Sequence, residues 1–307
     1  METRSPISRD VFDAWFNLLP HAKPFLRWAG GKQTFLARYG KFLPSFSGKY
    51  VEPFLGGGSA FLYMARRQAR PFRAVLGDVN SDLIQTWRGV RDDVEGVYRR
   101  LQTLQTEYTL ATDKAQFYYS LRDVFNGSRP RIDPAVFIFV NRLCWNGLYR
   151  VSSKGKFNVP YGAPKSENIL PPKEAFFAAA AALVQAEIRA SSWENVASLA
   201  APGDFVFLDP PYVSDLHVED TKYGSRPFSL AKHQRLAAVA RSMSDRKIAF
   251  ALTNSGEPET EELYKSLGLS VRRVVLPRLI NSKAELRSPT REIIVTPHWL
   301  ALEGETP

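Results

Sequence analysis

The residues best suited to chemistry stand together in Asp204-Phe205-Val206-Phe207-Leu208-Asp209-Pro210-Pro211-Tyr212. A short apolar run delivers Asp209 to its carboxyl end. Pro210 and Pro211 then fix the backbone and remove two N–H donors, so the neighbourhood offers carbonyl acceptors instead. Tyr212 adds an aromatic face. A carboxylate, carbonyl acceptors and a flat ring suit a planar heterocycle bearing an NH₂ group. The amino nitrogen of such a ring, adenine for instance, is a poor nucleophile because its lone pair is delocalised. Hydrogen bonds from the NH₂ to Asp209 and a neighbouring carbonyl favour a more tetrahedral nitrogen, whose lone pair can attack a methyl group on a sulfonium. Positioning and electrostatics carry such a reaction. A base inside a duplex cannot reach this pocket, so it must be flipped out and stacked on Tyr212.

Three further clusters could hold a cofactor. Val51-Glu52-Pro53-Phe54-Leu55-Gly56-Gly57-Gly58-Ser59 reads as a strand entering a glycine turn before a helix. Glycines allow tight turns and close approach of backbone to ligand. Gly56 and Gly58 meet the first half of the dinucleotide pattern G-x-G-x-x-G, but Phe61 stands where its third glycine belongs. Asp78 ends the next apolar run, about twenty residues on, a spacing that suits an acid accepting from ribose hydroxyls. It could equally cap a turn, since Asn80 and Ser81 follow. In Phe25-Leu26-Arg27-Trp28-Ala29-Gly30-Gly31-Lys32 the phosphate-loop pattern fails, because Leu26 and Gln33 occupy the required glycine and hydroxyl positions. Trp28 offers an aromatic face and Lys32 a cation beside a glycine turn.

The elements that must position these clusters are short runs rich in β-branched and aromatic residues, at 49–52, 74–76, 187–190, 205–208, 248–252, 270–276 and 292–296. Helical patterns separate most of the earlier runs, which indicates an α/β fold with a mostly parallel sheet and helices on both faces. The last two runs can close the sheet as a late antiparallel pair. Residues 88–135 carry helical patterns without strands, and 141–162 reads as loop and hairpin with Gly147, Gly155 and Gly162 at turns. This is a helical insertion between the second and third strands. The apolar block 175–184 is far shorter than the ~20 residues of a membrane helix and reads as a buried core helix. We expect no membrane partner.

The net charge of +10 and pI near 9.7 favour a polyanionic partner. The single cysteine, Cys144, reads as a small buried apolar residue, and the four histidines have no metal-ligand spacing, so no metal is expected. The first twenty residues show no targeting signal.

These residues, in this order, resemble the Dam family of DNA adenine-N6 methyltransferases, the D12 class, from about Pro24 to Thr296. The similarity implies a Rossmann-like S-adenosylmethionine-dependent methyltransferase sheet with a helical DNA-recognition insertion. It divides the chain into an N-terminal extension at 1–22, a catalytic domain at 23–87 and 171–307, and a target-recognition domain at 88–170. Trp28, Lys32, Gly56, Gly57, Gly58, Asp78 and Asp209 would bind S-adenosylmethionine, and Asp209, Pro210, Pro211 and Tyr212 would act on the adenine. The family carries an Asp-Phe pair after the third strand. Here Ser192-Trp193-Glu194-Asn195-Val196 stands in that place, so Glu194 is the carboxylate that would substitute.

The insertion carries the resemblance further. Asn141 to Arg150, followed by Gly155-Lys156-Phe157-Asn158-Val159-Pro160-Tyr161-Gly162, is similar to the family's DNA-reading hairpin. The resemblance puts Trp145 as a wedge in the base stack, Asn146 near the backbone, Leu148 and Pro160 on double-stranded DNA, and Arg150 on a guanine edge. Trp145 as a core residue and Arg150 as a phosphate clamp stay open. The resemblance also implies a cytoplasmic, nucleoid-associated enzyme of a bacterium or phage. A cognate restriction endonuclease as genetic partner and a GATC-like site both remain open, since Ala163-Pro164-Lys165 replaces an aromatic found in GATC-reading relatives. We expect residues 213–227 to close over the flipped base. We expect the loop of the late strand pair, with Arg272, Arg273, Arg278, Lys283, Arg287 and Arg291 around it, to contact phosphate. Other readings are methylation of cytosine N4, RNA or a glutamine side chain, or a DNA-binding protein with an inactive methyltransferase fold. A nicotinamide oxidoreductase would leave Asp-Pro-Pro-Tyr unexplained.

Overall fold

The computed structural model of the chain describes residues 17–68, 70, 72–212, 228–276 and 290–300. Seven strands form one sheet of order β3-β2-β1-β4-β5-β7-β6. They are β1 (Tyr50–Glu52), β2 (Ala74–Asp78), β3 (Ala186–Ala190), β4 (Phe205–Leu208), β5 (Ala249–Ser255), β6 (Ser270–Leu276) and β7 (Thr290–Thr296). The α/β alternation expected from the sequence is observed. β4 matches its apolar run residue for residue and is buried along its whole length, as a central parallel strand covered on both faces must be. It pairs in parallel with β1 (Val51 opposite Val206) and with β5 (Leu208 opposite Leu252).

The late strands differ from the simplest expectation in one respect. β6 and β7 are antiparallel to each other, but β7 inserts between β5 and β6 and runs antiparallel to both. The physical reason is burial. Ile293, Ile294 and Val295 of β7 are almost wholly buried, whereas β6 carries exposed Ser270 and Arg273 and suits the edge.

The helices are α1 (Gln33–Tyr39), α2 (Ser59–Gln68), α3 (Ser81–Asp92), α4 (Val94–Leu110), α5 (Lys114–Ser128), α6 (Pro134–Leu143), α7 (Lys173–Ala182), α8 (Trp193–Ala197), α9 (Leu230–Asp245) and α10 (Pro258–Lys265). Five of them, α3 to α7, lie between β2 and β3. Among the described residues, no helix is long and apolar enough to cross a membrane.

By packing, the chain divides into two compact units. One is drawn from Met1–Gly31, Leu55–Ala74 and Asn80–Ala190, the other from Lys32–Phe54, Val75–Val79 and Ser191–Pro307. In the first unit α6 is the central helix. Asp133 caps it by accepting from the Ala135 and Val136 amides (2.8 and 3.4 Å), and Pro134 opens it. Residues 135–140 are buried all round, and α6 packs on α3, α4 and α5. Asn141, Arg142 and Leu143, read as loop from the sequence, continue this helix, because its apolar run leaves no break before Cys144. The block at 175–184 forms most of α7 and is buried as expected. In the second unit one core joins Val51, Val206, Leu208, Leu236, Phe250, Leu252, Ile293 and Val295.

Candidate active site

In the second unit, β4 ends at Leu208 and Asp209 follows at once. Its Oδ1 accepts from the Thr253 hydroxyl at 2.6 Å and pairs with Lys32 Nζ at 3.1 Å. Both side chains of the ion pair are largely withdrawn from water, 9% exposed for Lys32 and 18% for Asp209. At this depth an unpaired carboxylate would be costly. Lys32 Nζ also lies 4.6 Å from the centre of the Tyr212 ring, within cation–π range. The Tyr212 hydroxyl donates to Glu292 Oε2 at 2.7 Å. Burial, then the nearby Asp209 and Glu292 carboxylates, push the phenol well above its ordinary pKa, so it stays a protonated donor. The structure therefore brings Lys32, Asp209 and Tyr212 together. Thr253 and Glu292 complete the cluster and were not singled out from the sequence.

A second buried acid lies on β1. Glu52 accepts from the Tyr50 hydroxyl at 2.7 Å, and burial together with Glu52 and Asp209 raises the Tyr50 pKa. Asp78 closes β2, and its carbonyl accepts from the Ser191 amide at 3.1 Å. The next residue, Val79, is 70% exposed, which leaves an apolar surface beside a carboxylate. Glu194 stands in the first turn of α8, 3.6 Å from the Arg235 guanidinium.

In the first unit the glycine turn packs against two tryptophans. Gly56 and Gly58 adopt positive φ (46° and 67°). A Cβ at Gly57 would come within 2.9 Å of Trp28 Cβ, and one at Gly58 within 2.6 Å of the Trp87 ring. Trp87 locks the turn by donating to the Gly56 carbonyl at 3.1 Å. Trp28 in turn stacks on Tyr149, with ring centres 5.9 Å apart and planes 28° from parallel. The Tyr149 hydroxyl donates to buried Asp82 at 2.7 Å, and Arg129 pairs with the same carboxylate at 3.0 Å.

The hairpin of the first unit is anchored from below. Asn141 accepts from the Arg27 amide (2.9 Å) and donates to the Arg27 carbonyl (2.8 Å) and the Gly147 carbonyl (3.3 Å). The Trp145 amide donates to the Pro160 carbonyl at 2.9 Å, and the Leu148 amide to the Trp145 carbonyl at 3.2 Å. Asn146 adopts φ 52°, which turns the chain between them. Trp145 itself is 53% exposed, an unusual state for the largest side chain, and this removes the reading of it as a core residue. Arg150 Nε donates to Asn158 Oδ1 at 2.9 Å, so the guanidinium is braced across the hairpin. Residues 213–227 and 277–289, where we expected the closing segment and most of the phosphate-contacting loop, lie outside the described residues. Of that basic group, Arg273 is engaged elsewhere: its fork meets Glu261 at 2.6 and 2.9 Å.

The sequence profile of the D12 class N6 adenine-specific DNA methyltransferases matches residues 28–276. A type II methyltransferase, M.MjaIII of Methanocaldococcus jannaschii, is 33% identical over 86% of this chain and 95% of its own length. M1.LlaDCHI, a type II methyltransferase of Lactococcus lactis subsp. cremoris, is 32% identical over 89% of this chain and 95% of its own. The DNA adenine methylase of Escherichia coli K12 is 31% identical over 89% of this chain and 94% of its own. The match runs from Trp28 through Asp209 and Tyr212 to the end of β6, and on that extent the chain belongs to the D12 class N6 adenine-specific DNA methyltransferases.

Proposed function

We propose that the enzyme takes its methyl group from S-adenosylmethionine and transfers it to N6 of an adenine flipped out of double-stranded DNA. The arrangement around Asp209 is the observation that carries this reading. Lys32 and Thr253 both approach Oδ1. In this reading Oδ2 accepts from the adenine amino group, and the Pro210 carbonyl takes its second hydrogen. Pro211 holds Tyr212 in place, and because Lys32 covers one face of the ring, the base stacks on the other. S-adenosylmethionine would supply a methyl on a positively charged sulfur, so that as the N6–methyl bond forms the carbon–sulfur bond breaks, the thioether leaves neutral and N6 gives up one proton to water. The described residues fit such a group: Asp78 offers an acceptor and exposed Val79 an apolar face, as an adenosine moiety needs. Trp28, Lys32, Gly56, Gly57, Gly58, Asp78, Glu194 and Asp209 are the proposed cofactor residues.

For DNA we propose that residues 88–170 read the target, beside a catalytic domain at 23–87 and 171–307 and an extension at 1–22. Exposed Trp145 wedges into the stack, Asn146, Leu148 and Pro160 line the duplex, and braced Arg150 reads a guanine of a GATC-like site. The type II names of two relatives support a cognate restriction endonuclease as genetic partner. We place the enzyme in the cytoplasm, on the nucleoid.

The test is to incubate the protein, and an Asp209→Ala variant, with S-adenosylmethionine and unmethylated bacterial DNA, then map modified bases on single molecules. We expect N6-methyladenine at one short repeated motif, and none with the variant. Modification of cytosine N4 instead, or undiminished modification by the variant, would overturn the reading.

A further inference from the structure

Glu292 is a carboxylate at the start of an apolar strand, followed by Ile293, Ile294 and Val295, and only 9% of its surface is exposed. A buried carboxylate needs hydrogen-bond donors to be tolerated. The register explains which donor it meets. In the β5–β7 pairing, Glu292 stands opposite Ser255 and Ile294 opposite Thr253. Directly opposite residues on neighbouring strands point to the same face, and so do residues two apart on one strand. Thr253, Ser255 and Glu292 therefore share one face of the sheet. From that face Thr253 donates to Asp209 at 2.6 Å, and Glu292 accepts from Tyr212 at 2.7 Å. Because β7 lies between β5 and β6, both anchors come from adjacent strands.

The two prolines fix the backbone between Asp209 and Tyr212 but leave the tyrosine ring free to turn about its χ1 and χ2 bonds. A hydrogen bond at the far end of the ring fixes χ1, and with it where the ring sits; the hydroxyl oxygen lies on the χ2 axis, so the tilt of the plane is left to contacts on the ring faces. Lys32 Nζ, 4.6 Å from the ring centre, bears on the plane, whereas the 2.7 Å hydroxyl–carboxylate bond holds the far end of the ring in place. The phenol is held protonated by burial and its two acidic neighbours, so it serves as a donor to Glu292.

We propose that Glu292 is a positioning residue which, by accepting from the Tyr212 hydroxyl, holds in place the ring on which the flipped base stacks, and so governs the methyl-transfer rate and not cofactor affinity. The inference rests on the reading of Tyr212 given above, and the experiment separates the two. Single-turnover methyl transfer from labelled S-adenosylmethionine to unmethylated bacterial DNA is measured for wild type, Glu292→Ala, Glu292→Gln, Tyr212→Phe, Tyr212→Ala and the double variant Tyr212→Phe/Glu292→Ala. Calorimetry gives S-adenosylmethionine affinity, and thermal unfolding checks the fold.

Glu292→Ala and Tyr212→Phe should each slow transfer roughly tenfold, as misplacement of a reacting group does. The double variant should be no slower than Tyr212→Phe, which removes the bond to Glu292 together with the hydroxyl's bond to Thr253. Glu292→Gln, which keeps an acceptor, should retain most of the rate, and cofactor affinity should stay within about twofold throughout. Additive losses in the double variant, or a full rate for Glu292→Ala beside a slow Tyr212→Ala, would overturn the positioning role while leaving the role of Tyr212 intact. A full rate for Tyr212→Ala would overturn both. If Glu292→Ala does not fold, Tyr212→Phe alone decides: a full rate without the hydroxyl ends the proposal.

Discussion

Gly58 shows how tightly single residues are constrained around the glycine turn. Its φ of +67° disfavours any side chain, and a Cβ there would overlap the buried Trp87 ring at 2.6 Å. Gly30 has a similar φ of +73° but no atom within 4 Å of a would-be Cβ. Alanine at Gly30 should therefore cost only the backbone strain, about 1–2 kcal/mol. At Gly58 the overlap adds to it, about 1–3 kcal/mol more. Urea unfolding of the two variants checks the order, and equal losses would show that Trp87 yields freely. At this scale the sequence makes three of the five residues of the Asp209 cluster legible. Asp209 and Tyr212 adjoin in one motif, and Lys32 stands in a glycine-rich segment of its own. Thr253 and Glu292 carry no local mark. They lie 44 and 80 residues from their partners, and only strand order and register bring them there.

Among the elements, the strands were legible because each is a short apolar run ended by polar or turn residues. Their order was not: the insertion of β7 between β5 and β6 depends on which strand buries more, a property of the whole sheet. β6 is left as an edge, and its exposed face carries charge and contacts that blunt it. Arg38 and Tyr39 of α1 donate to the Val275 carbonyl at 3.3 and 3.2 Å. Arg273 joins the edge to α10 through Glu261, whose carboxylate also meets Lys265 at 3.0 Å. Hydrogen bonds from Arg273, then Lys265, hold the Glu261 carboxyl down to about 2 from its ordinary 4.5. A depressed carboxyl stabilises the fold fully above the unfolded value and loses that contribution as pH falls through the folded one. The difference in unfolding free energy between wild type and Glu261→Gln should thus be constant above pH 4.5 and shrink between pH 4.5 and 2. Because Arg273 is largely exposed, added salt should reduce it. A difference unchanged down to pH 2 would remove the ion pair from the account.

The whole molecule carries a net charge of +10. Binding to duplex DNA should therefore release counterions, with log affinity falling linearly in log salt by about 0.9 for each phosphate neutralised. Six such contacts would weaken binding about a thousandfold between about 50 and 200 mM salt. Fluorescence anisotropy on a labelled duplex measures the slope, and a flat profile would deny the charge a role in binding.

The buried Cys144 has a use at this scale. It is the chain's single cysteine, 1% exposed, and it bridges to Tyr161 at the base of the hairpin that bears Trp145 and Arg150. Burial pushes its thiol up to about 12, so in the closed form it is nearly inert to alkylating reagents. Any labelling at neutral pH then counts the moments when the hairpin unzips. The protein thus holds a native reporter of how often this hairpin opens, with no second thiol to confuse the signal.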